Sequence, residues 1–526
     1  MTVRVAIVGG GPGGLFAAAL ISTRLPDSEV TLFERNRRSD AFGFGVVFSD
    51  ATLGAIDEAD PTLRNGLNDF GTHWDRIEVW NGGERHGFSG NGMAAIHRRT
   101  LLKLLQDNAE AAGAVLKFGE PAPPTSELAA NFDLVIGADG TNSSVRAHLS
   151  DEALGHTLES ATAKFIWFGT THLFDGLTFV HRESEHGSFA VHGYPISEDL
   201  STFIVETDED TWHRAGLDDF DVTQPPGPSD ATSQAYLEKL FADDIGGASL
   251  VANNSRWGNF VTRRTQTWSR DNIVLLGDAV HTAHFSVGSG TKMAMDDAIA
   301  ISTQIVEHAD DIPAALAAYA AARLPSVAKI QDSARPSLSW WEHFGQYRSE
   351  LDPLTFAFHF FSRSIDIERI ARRDPSLVQT VRDQWHDRYG SPTLSTPLAV
   401  PEADRVAVNR LWSARVEHTT FVIEDQAGAI LRIDLDAPTG DCAVVTAPSA
   451  ESELGDVLDT VPSGAQLVVV HGGSTLPRTL LCEELRLRRG RVVVFVGVVD
   501  ESTAETLILS GRADAVIATD PGAHTS

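Results

Sequence analysis

An α/β fold is what this sequence predicts, and three observations carry the prediction. A short, continuous apolar run, Val3 to Val8, is followed at once by glycines and then by helix-forming residues. Such runs recur at Glu29 to Phe33, Asp133 to Ile136 and Ile273 to Leu276, with an amphipathic stretch from Leu101 to Ala112 among them. That is the pattern of parallel strands buried on both faces and joined by helices. Between about Lys164 and Glu206 the pattern changes to aromatic and β-branched residues with frequent glycine, which predicts an antiparallel sheet inserted into the first domain.

Gln224 to Asp230 (QPPGPSD) reads as a turn or linker, Lys292 to His308 as a helix, and Pro313 to about Leu338 as a long Ala-rich helix. The Ser- and Pro-rich stretch Ser391 to Asp404 marks a boundary, after which short strands alternate with helix-like pieces. The expected organisation is therefore 1–160 with 255–345 as one discontinuous domain, 161–254 as the inserted sheet, 346–395 as a helical connector and 396–526 as a small α/β domain.

Composition narrows the function. Among 526 residues, 42 Lys and Arg face 72 Asp and Glu, a formal charge of −30 that disfavours nucleic acid and anionic membranes as partners. Two cysteines, Cys442 and Cys482, cannot build a disulfide framework or a four-cysteine zinc site. No run of about 20 apolar residues predicts a membrane span, and the glycine-dense start suits a buried strand and helix better than an export signal. A cytoplasmic location is the expectation, with no metal.

Three motifs carry chemistry. Gly9, Gly11 and Gly14 form G-x-G-x-x-G between a strand and a helix, with Glu34 twenty residues beyond at the end of the second strand. Glycines there allow a tight turn and close approach of backbone to a pyrophosphate, whose charge the helix N-terminus favours. A carboxylate at Glu34 suits ribose hydroxyls, so a dinucleotide is expected. Asp139-Gly140 follows another strand, and Gly277-Asp278 another still, with Gly288-x-Gly290 opening a helix. Taken singly, either Asp–Gly pair reads equally well as a strand-ending turn.

In order and spacing, the three motifs resemble the single-component flavoprotein aromatic hydroxylases, the para-hydroxybenzoate hydroxylase-like family, over about Thr2 to Ser337. The resemblance implies an FAD-binding Rossmann-like domain of the GR2 type. Gly9, Gly11, Pro12, Gly13, Gly14, Glu34 and Arg35 would hold the ADP half of FAD, and Val46 and Val47 would lie against the cofactor. Arg98 would reach a phosphate or the adenosine side, and Asp278 the ribityl chain or pyrophosphate. Gly288, Ser289, Gly290, Thr291 and Lys292 would run along the flavin ring, and Asp139 would have a mixed structural, FAD and nicotinamide-linked role.

Phe285-Ser286, Ser289 and Lys292 depart from the common pattern of that family. With GFGVVFSD (Gly43 to Asp50), WFGT and STFIVE, they resemble the branch that hydroxylates aryl-coenzyme A thioesters. The implied reaction uses NADH and O2: FAD is reduced, oxygen adds at flavin C4a, and an ortho-hydroxylated benzoyl-CoA such as salicylyl-CoA is attacked para to its hydroxyl, giving gentisyl-CoA. A free indole or phenol, or a catalytically silent flavin scaffold, are the alternatives. An enclosed apolar pocket is required. Phe165, Trp167, Phe179, Phe189 and Phe285 are candidates for its wall, and each reads equally as core. His192, His281 and His284 are candidates to activate the substrate hydroxyl, with a structural histidine the alternative for each. Arg182, Arg256, Arg263 and Arg264 are candidates for the coenzyme A phosphates, with surface ion pairing the alternative. Trp340-Trp341 reads as helix packing or as a platform for adenine.

Val492 to Pro521 resembles the last strand-helix unit of an old yellow enzyme barrel, and Ser395 to Asn409 an eroded version of its entrance. Only about 125 residues follow the boundary, whereas a (β/α)8 barrel takes about 250. Gly497-Val498 and Thr519-Asp520 stand where an FMN phosphate would be held, and an Asp there repels it. No second flavin is expected, and the appended domain leaves a homodimer possible.

Overall fold

The structure is a computed structural model. It describes residues 3–225, 227–285, 288, 290–400, 405–417, 420–434 and 441–519, with side chains described at all of these except positions 51, 62, 405, 416 and 434. The chain forms two compact units, one of Met1–Trp80 with Asn91–Glu342, the other of Asn81–Gly90 with His343–Ser526.

The first unit is built on a six-stranded sheet in the order Ser269–Arg270, Ile273–Leu275, Leu134–Gly137, Arg4–Val8, Glu29–Glu34, Val115–Phe118. All its pairings are parallel except that of the first strand. Val5, Ala6 and Ile7 are fully buried, as a central strand requires, and the helix Pro12–Arg24 is buried from Pro12 through Ser22. Helices Arg98–Ala111 and Gly290–Glu307 contribute Leu101, Leu105, Met293 and Ile301 to the same core. A three-stranded sheet of Gly45–Ser49, Met93–His97 and Thr72–Trp74, which the sequence pattern did not reveal, carries the GFGVVFSD stretch.

The antiparallel sheet lies where the aromatic pattern predicts it, with His156–Thr170, Ser201–Thr207, Gly187–Pro195 and Leu177–Ser184 as successive neighbours. It also draws strands from outside 161–254: Ile77–Asn81 pairs with Leu177–Ser184, and Gly258–Thr265 with His156–Thr170. Alternation splits its side chains between two faces. Ile166, Phe168, Phe189, Val191, Phe203 and Val205 pack with Leu237 and Phe241 of the following helical segment. Phe189 therefore belongs to that core, and its candidacy for the pocket wall is corrected. The long helix runs Ile312–Glu350, past the expected break at 345, and tolerates Pro325 and Pro336 inside it.

In the second unit, Cys442–Thr446, Leu467–His471, Val492–Gly497, Ala515–Ala518 and Leu411–Glu417 form a parallel series. The antiparallel hairpin Thr420–Asp425 and Gly428–Asp434 extends it. Helix residues Leu481, Leu485, Leu507 and Ile508 cover one face, while Phe421, Ile423, Ile430 and Ile433 of the hairpin pack with Leu467, Val469, Val494 and Ile517 on the other. Thr519 ends the described chain, and Asp520 lies outside the described residues. Among those residues no helix is long and apolar enough to cross a membrane.

Candidate active site

The glycine motif folds as its spacing requires, but its glycines do different things. Gly9 has a φ of +112°, and a Cβ there would lie 2.3 Å from the Ala138 carbonyl oxygen. A Cβ on Gly14 would lie 2.2 Å from the carbonyl oxygen of Gly9, and one on Gly13 would meet Leu276 and Ala294. These three allow the helix Pro12–Arg24 to pack close against the sheet. A Cβ on Gly11 would meet nothing within 4 Å, so the helix start faces open space. Glu34 sits beside it: the Gly10 amide donates to Oε2 at 2.7 Å, while the Asn36 amide and side chain donate to Oε1 at 2.8 and 2.7 Å. Arg35 is exposed beyond it.

The other two motifs are tied together. Arg146 donates to the Ala279 carbonyl at 2.8 Å and to the Thr141 carbonyl at 2.9 Å, linking the Asp139-Gly140 turn to the Gly277-Asp278 turn. The Asp139 carboxylate accepts from Ser143 Oγ and from the amide and hydroxyl of Ser144. It accepts from amides of the first turn of the helix Ser144–Leu149, whose N-cap is Ser143, so its structural role is the one the geometry displays. Asp278 is open to solvent, yet the protein packed around it pushes its carboxyl upward, against the pull of His281, Arg98 and Arg263. Burial lowers the Arg98 guanidinium, and Asp278 opposes that shift. Val46 and Val47 lie on the strand Gly45–Ser49, paired with Ile96 and Ala95 just before Arg98.

Gly288 has a φ of +61°, and a Cβ on it or on Gly290 would meet nothing within 4 Å among the described residues. Gly290, Thr291 and Lys292 open the helix Gly290–Glu307, and Lys292 pairs with Asp296 one turn on. Ser286 and Ser289 lie outside the described residues. Among the described residues nothing stands where a Cβ on Gly11, Gly288 or Gly290 would lie, and Arg98 and Asp278 are charged groups of the same unit. These residues fit a dinucleotide with a pyrophosphate at its centre.

Asp297, which carries no individual role in the sequence reading, is the hub beneath this site. Fully buried, it accepts from the Gly277 amide at 2.9 Å and from Arg323 Nε at 2.7 Å, and lies 2.7 Å from His281 Nε2. Burial works to raise its carboxyl, but His281, Arg323 and the Gly277 amide outweigh it and hold the acid below its ordinary range. His281 is therefore a support of the Gly277 turn, which corrects its candidacy for substrate activation.

His192 and His284 are placed differently. Cross-strand register puts Phe179, His192, Ile204 and Trp167 in one row and His181, Ala190, Glu206 and Phe165 in the next, all on the face opposite the Phe189 core. His192 Nε2 lies 3.0 Å from Glu206 Oε1, and His284 Nε2 3.9 Å from the same oxygen. Glu206 is fully buried, and burial pushes its carboxyl up to about 7, with His284 drawing it down and Glu342 adding to the rise. Phe285 packs on Phe165 at 5.0 Å between ring centroids, on His192 at 5.5 Å and on Trp167 at 6.1 Å. Trp341 lies 4.2 Å from the His192 ring, a core position rather than an exposed adenine platform. Aromatic rings thus pack around two imidazoles and one buried carboxylate.

The four arginines expected to meet coenzyme A are each engaged elsewhere. Arg182 pairs with Asp244 through Nε and Nη2, and Arg264 pairs with Asp332. Arg256 donates to the carbonyls of Val222, Gln224 and Pro225, and Arg263 donates to the Thr141 carbonyl and contacts His156. Local partners, rather than one shared basic patch, account for their placement.

Residues 2–334 match the family described as FAD binding domain. The chain is 50% identical over 98% of its length, and 99% of the relative's, to a salicyloyl-CoA 5-hydroxylase of a Streptomyces species. It is 34% identical, over 64% of its length and 89% of the relative's, to a 3-hydroxy-4-methyl-anthranilyl-[aryl-carrier protein] 5-monooxygenase of Streptosporangium sibiricum. Among solved structures it resembles 2-methyl-3-hydroxypyridine-5-carboxylic acid oxygenase in a tetrameric form, with a TM-score of 0.52 at 19% identity over 67% of this chain and 97% of that one. PqsL of Pseudomonas aeruginosa gives 0.51 at 21% over 65% and 97%, and both likenesses concern the fold. The chain belongs to the FAD-binding-domain family and is an FAD-dependent monooxygenase of the aromatic hydroxylase type.

Proposed function

We propose that this enzyme hydroxylates an aromatic acyl-CoA thioester, with salicylyl-CoA as substrate, gentisyl-CoA as product, NADH as electron donor and O2 as co-substrate. The observation that carries the reading is the likeness to the salicyloyl-CoA 5-hydroxylase, which runs through both units of the chain. Bound FAD supplies hydride acceptance and oxygen activation. The chain supplies the rest. The Gly9–Gly14 loop, Glu34, Arg35 and Arg98 would take the ADP half, Val46 and Val47 would flank the cofactor, and Asp278 with Gly288–Lys292 would take the flavin half. Phe165, Trp167, Phe179 and Phe285 exclude water from the reacting ring. His192 and His284 lie on that face to receive a proton from the ring hydroxyl, whose lone pair then directs attack to the para carbon. The cytoplasm, which holds NADH and coenzyme A thioesters, is the location this reading requires.

The test is NADH oxidation by the FAD-loaded enzyme with salicylyl-CoA, free salicylate and tryptophan in parallel, with product regiochemistry from NMR. Coupled turnover with the thioester and hydroxyl insertion at C5 is expected. Faster coupled turnover with either free aromatic overturns the thioester assignment, and a stoichiometric yellow flavin with no NADH oxidation on any aromatic overturns the catalytic reading.

A further inference from the structure

Glu206 needs an explanation that packing does not give. The strand Ser201–Thr207 is wholly buried, and its carboxylate is taken out of water there at a cost of several kcal/mol. Among the described residues neither oxygen accepts a well-aligned hydrogen bond, although His192 Nε2 lies 3.0 Å from Oε1. The titratable groups around it come from every side: His192 on the adjacent strand, His284 after the Gly277 turn, Glu342 near the end of the unit's long helix, and His181 in the same cross-strand row. Ala190, its direct neighbour in that row, is the smallest side chain there, and Phe285 packs against the His192 ring.

We propose that Glu206 is a positioning residue for substrate ionisation: its buried carboxylate holds the imidazolium that forms when His192 takes the proton of the substrate's ring hydroxyl. This rests on the aryl-CoA reading. In the step, the substrate O–H bond breaks, an N–H bond forms on the imidazole, and the bonding pair stays on the phenolic oxygen. Phenolate and imidazolium arise together, so the net charge of the site is unchanged. The ionised carboxylate makes that charge separation tolerable in a dry pocket. Because burial lifts the Glu206 carboxyl to about 7, the anion is present above neutral pH and lost below it. Bound substrate should follow, as phenolate on the alkaline side and phenol on the acid side.

The experiment is a pH titration of the ultraviolet difference spectrum of salicylyl-CoA bound to oxidised FAD holoenzyme without NADH, with 2-methoxybenzoyl-CoA as the ligand that has no proton to lose. The wild type should show the phenolate band with a midpoint near pH 7. E206Q should bind both thioesters within threefold of wild type yet raise the midpoint by more than one pH unit, and E206D should restore it. Should E206Q fail to fold, H192N must show the same raised midpoint. An unchanged midpoint in the folded variant overturns the assignment alone. A wild-type holoenzyme that binds neither thioester overturns the aryl-CoA reading and this assignment with it.

Discussion

Asp297→Ala removes the one acceptor that the Gly277 amide, His281 and Arg323 share. Each contact is a hydrogen bond to a buried anion, and such bonds contribute about 1.5–3 kcal/mol apiece without adding independently. The larger cost is what stays behind: Arg323 is 8% exposed and would keep its charge with Asp296, at 3.8 Å, as its remaining anion. Breaking one side of a buried pair costs about 3–5 kcal/mol. For a cooperative unit of this size that is a Tm lowered by about 4–7 °C. The Gly277 turn, held at a φ of +60°, would lose its anchor at the same time, so FAD affinity should fall with stability. Thermal unfolding followed by circular dichroism and by flavin fluorescence, with FAD titration into apoprotein, reads both. Asp297→Asn keeps the shape but can no longer serve an amide and a guanidinium as an anion, and should fall between. A D297A enzyme that melts within 2 °C of wild type and binds FAD stoichiometrically would refute the assignment of Asp297 as the hub.

Gly11→Ala should leave the melting temperature of the apoprotein unchanged but weaken FAD binding at least tenfold, whereas Gly14→Ala should cost stability first, because its Cβ meets the Gly9 carbonyl at 2.2 Å; equal losses of both kinds in the two variants would contradict this division. In the second unit, the buried Glu483 is bonded by Arg512, Tyr347 and His359; burial opposes its ionisation, but these partners outweigh it and hold the carboxyl at about 2. Burial and Arg512 press His359 down to about 4. Both folded values are depressed, so stability present at neutral pH should be lost as pH falls, from 6.5 to 4 through the histidine and from 4.5 to 2 through the acid. Hydrogen exchange of the helix Thr475–Glu483, corrected for intrinsic rates, should show weaker protection at pH 4 than at pH 7, and equal protection would count against the network. Finally, with the four candidate arginines engaged inside the chain, the net charge of −30 should govern the approach of a polyanionic thioester, so its KM should fall as salt rises from about 10 to 200 mM; a rising KM would reveal a local basic patch.

The parallel sheet was legible because a central strand buried on both faces writes itself as an unbroken apolar run, and because glycines at Gly9, Gly11 and Gly14 have few other uses between a strand and a helix. The inserted sheet was legible as a sheet but not in its facing. Phe165, Trp167 and Phe179 share a face, while Phe189 takes the other, because pairing across the hairpin sets Ala190 and not Phe189 opposite His181. Side-chain parity is fixed only once register is fixed, and no local pattern states the register of a partner strand. The surroundings of the arginines were illegible for a related reason: a cation in a sequence shows its charge but not the carbonyls of Val222 and Gln224 or the Asp244 that engage it.

Asp297 and Glu206 show why burial alone does not reveal purpose. Both are carboxylates with no exposed surface, and both lie within reach of a histidine. Their partners separate them. Asp297 is served by an amide, a guanidinium and an imidazole aligned on it, so its proton is held off firmly and its ionised state is part of the fold. Glu206 has two imidazoles beside it and no fixed cation bonded to it among the described residues, so its proton affinity stays near neutral, where small changes in its surroundings redistribute the charge. A buried acid saturated with permanent donors is architecture. One matched only with groups that themselves titrate is poised for proton transfer, and that difference in partners, rather than burial or motif, assigns the two residues to different work.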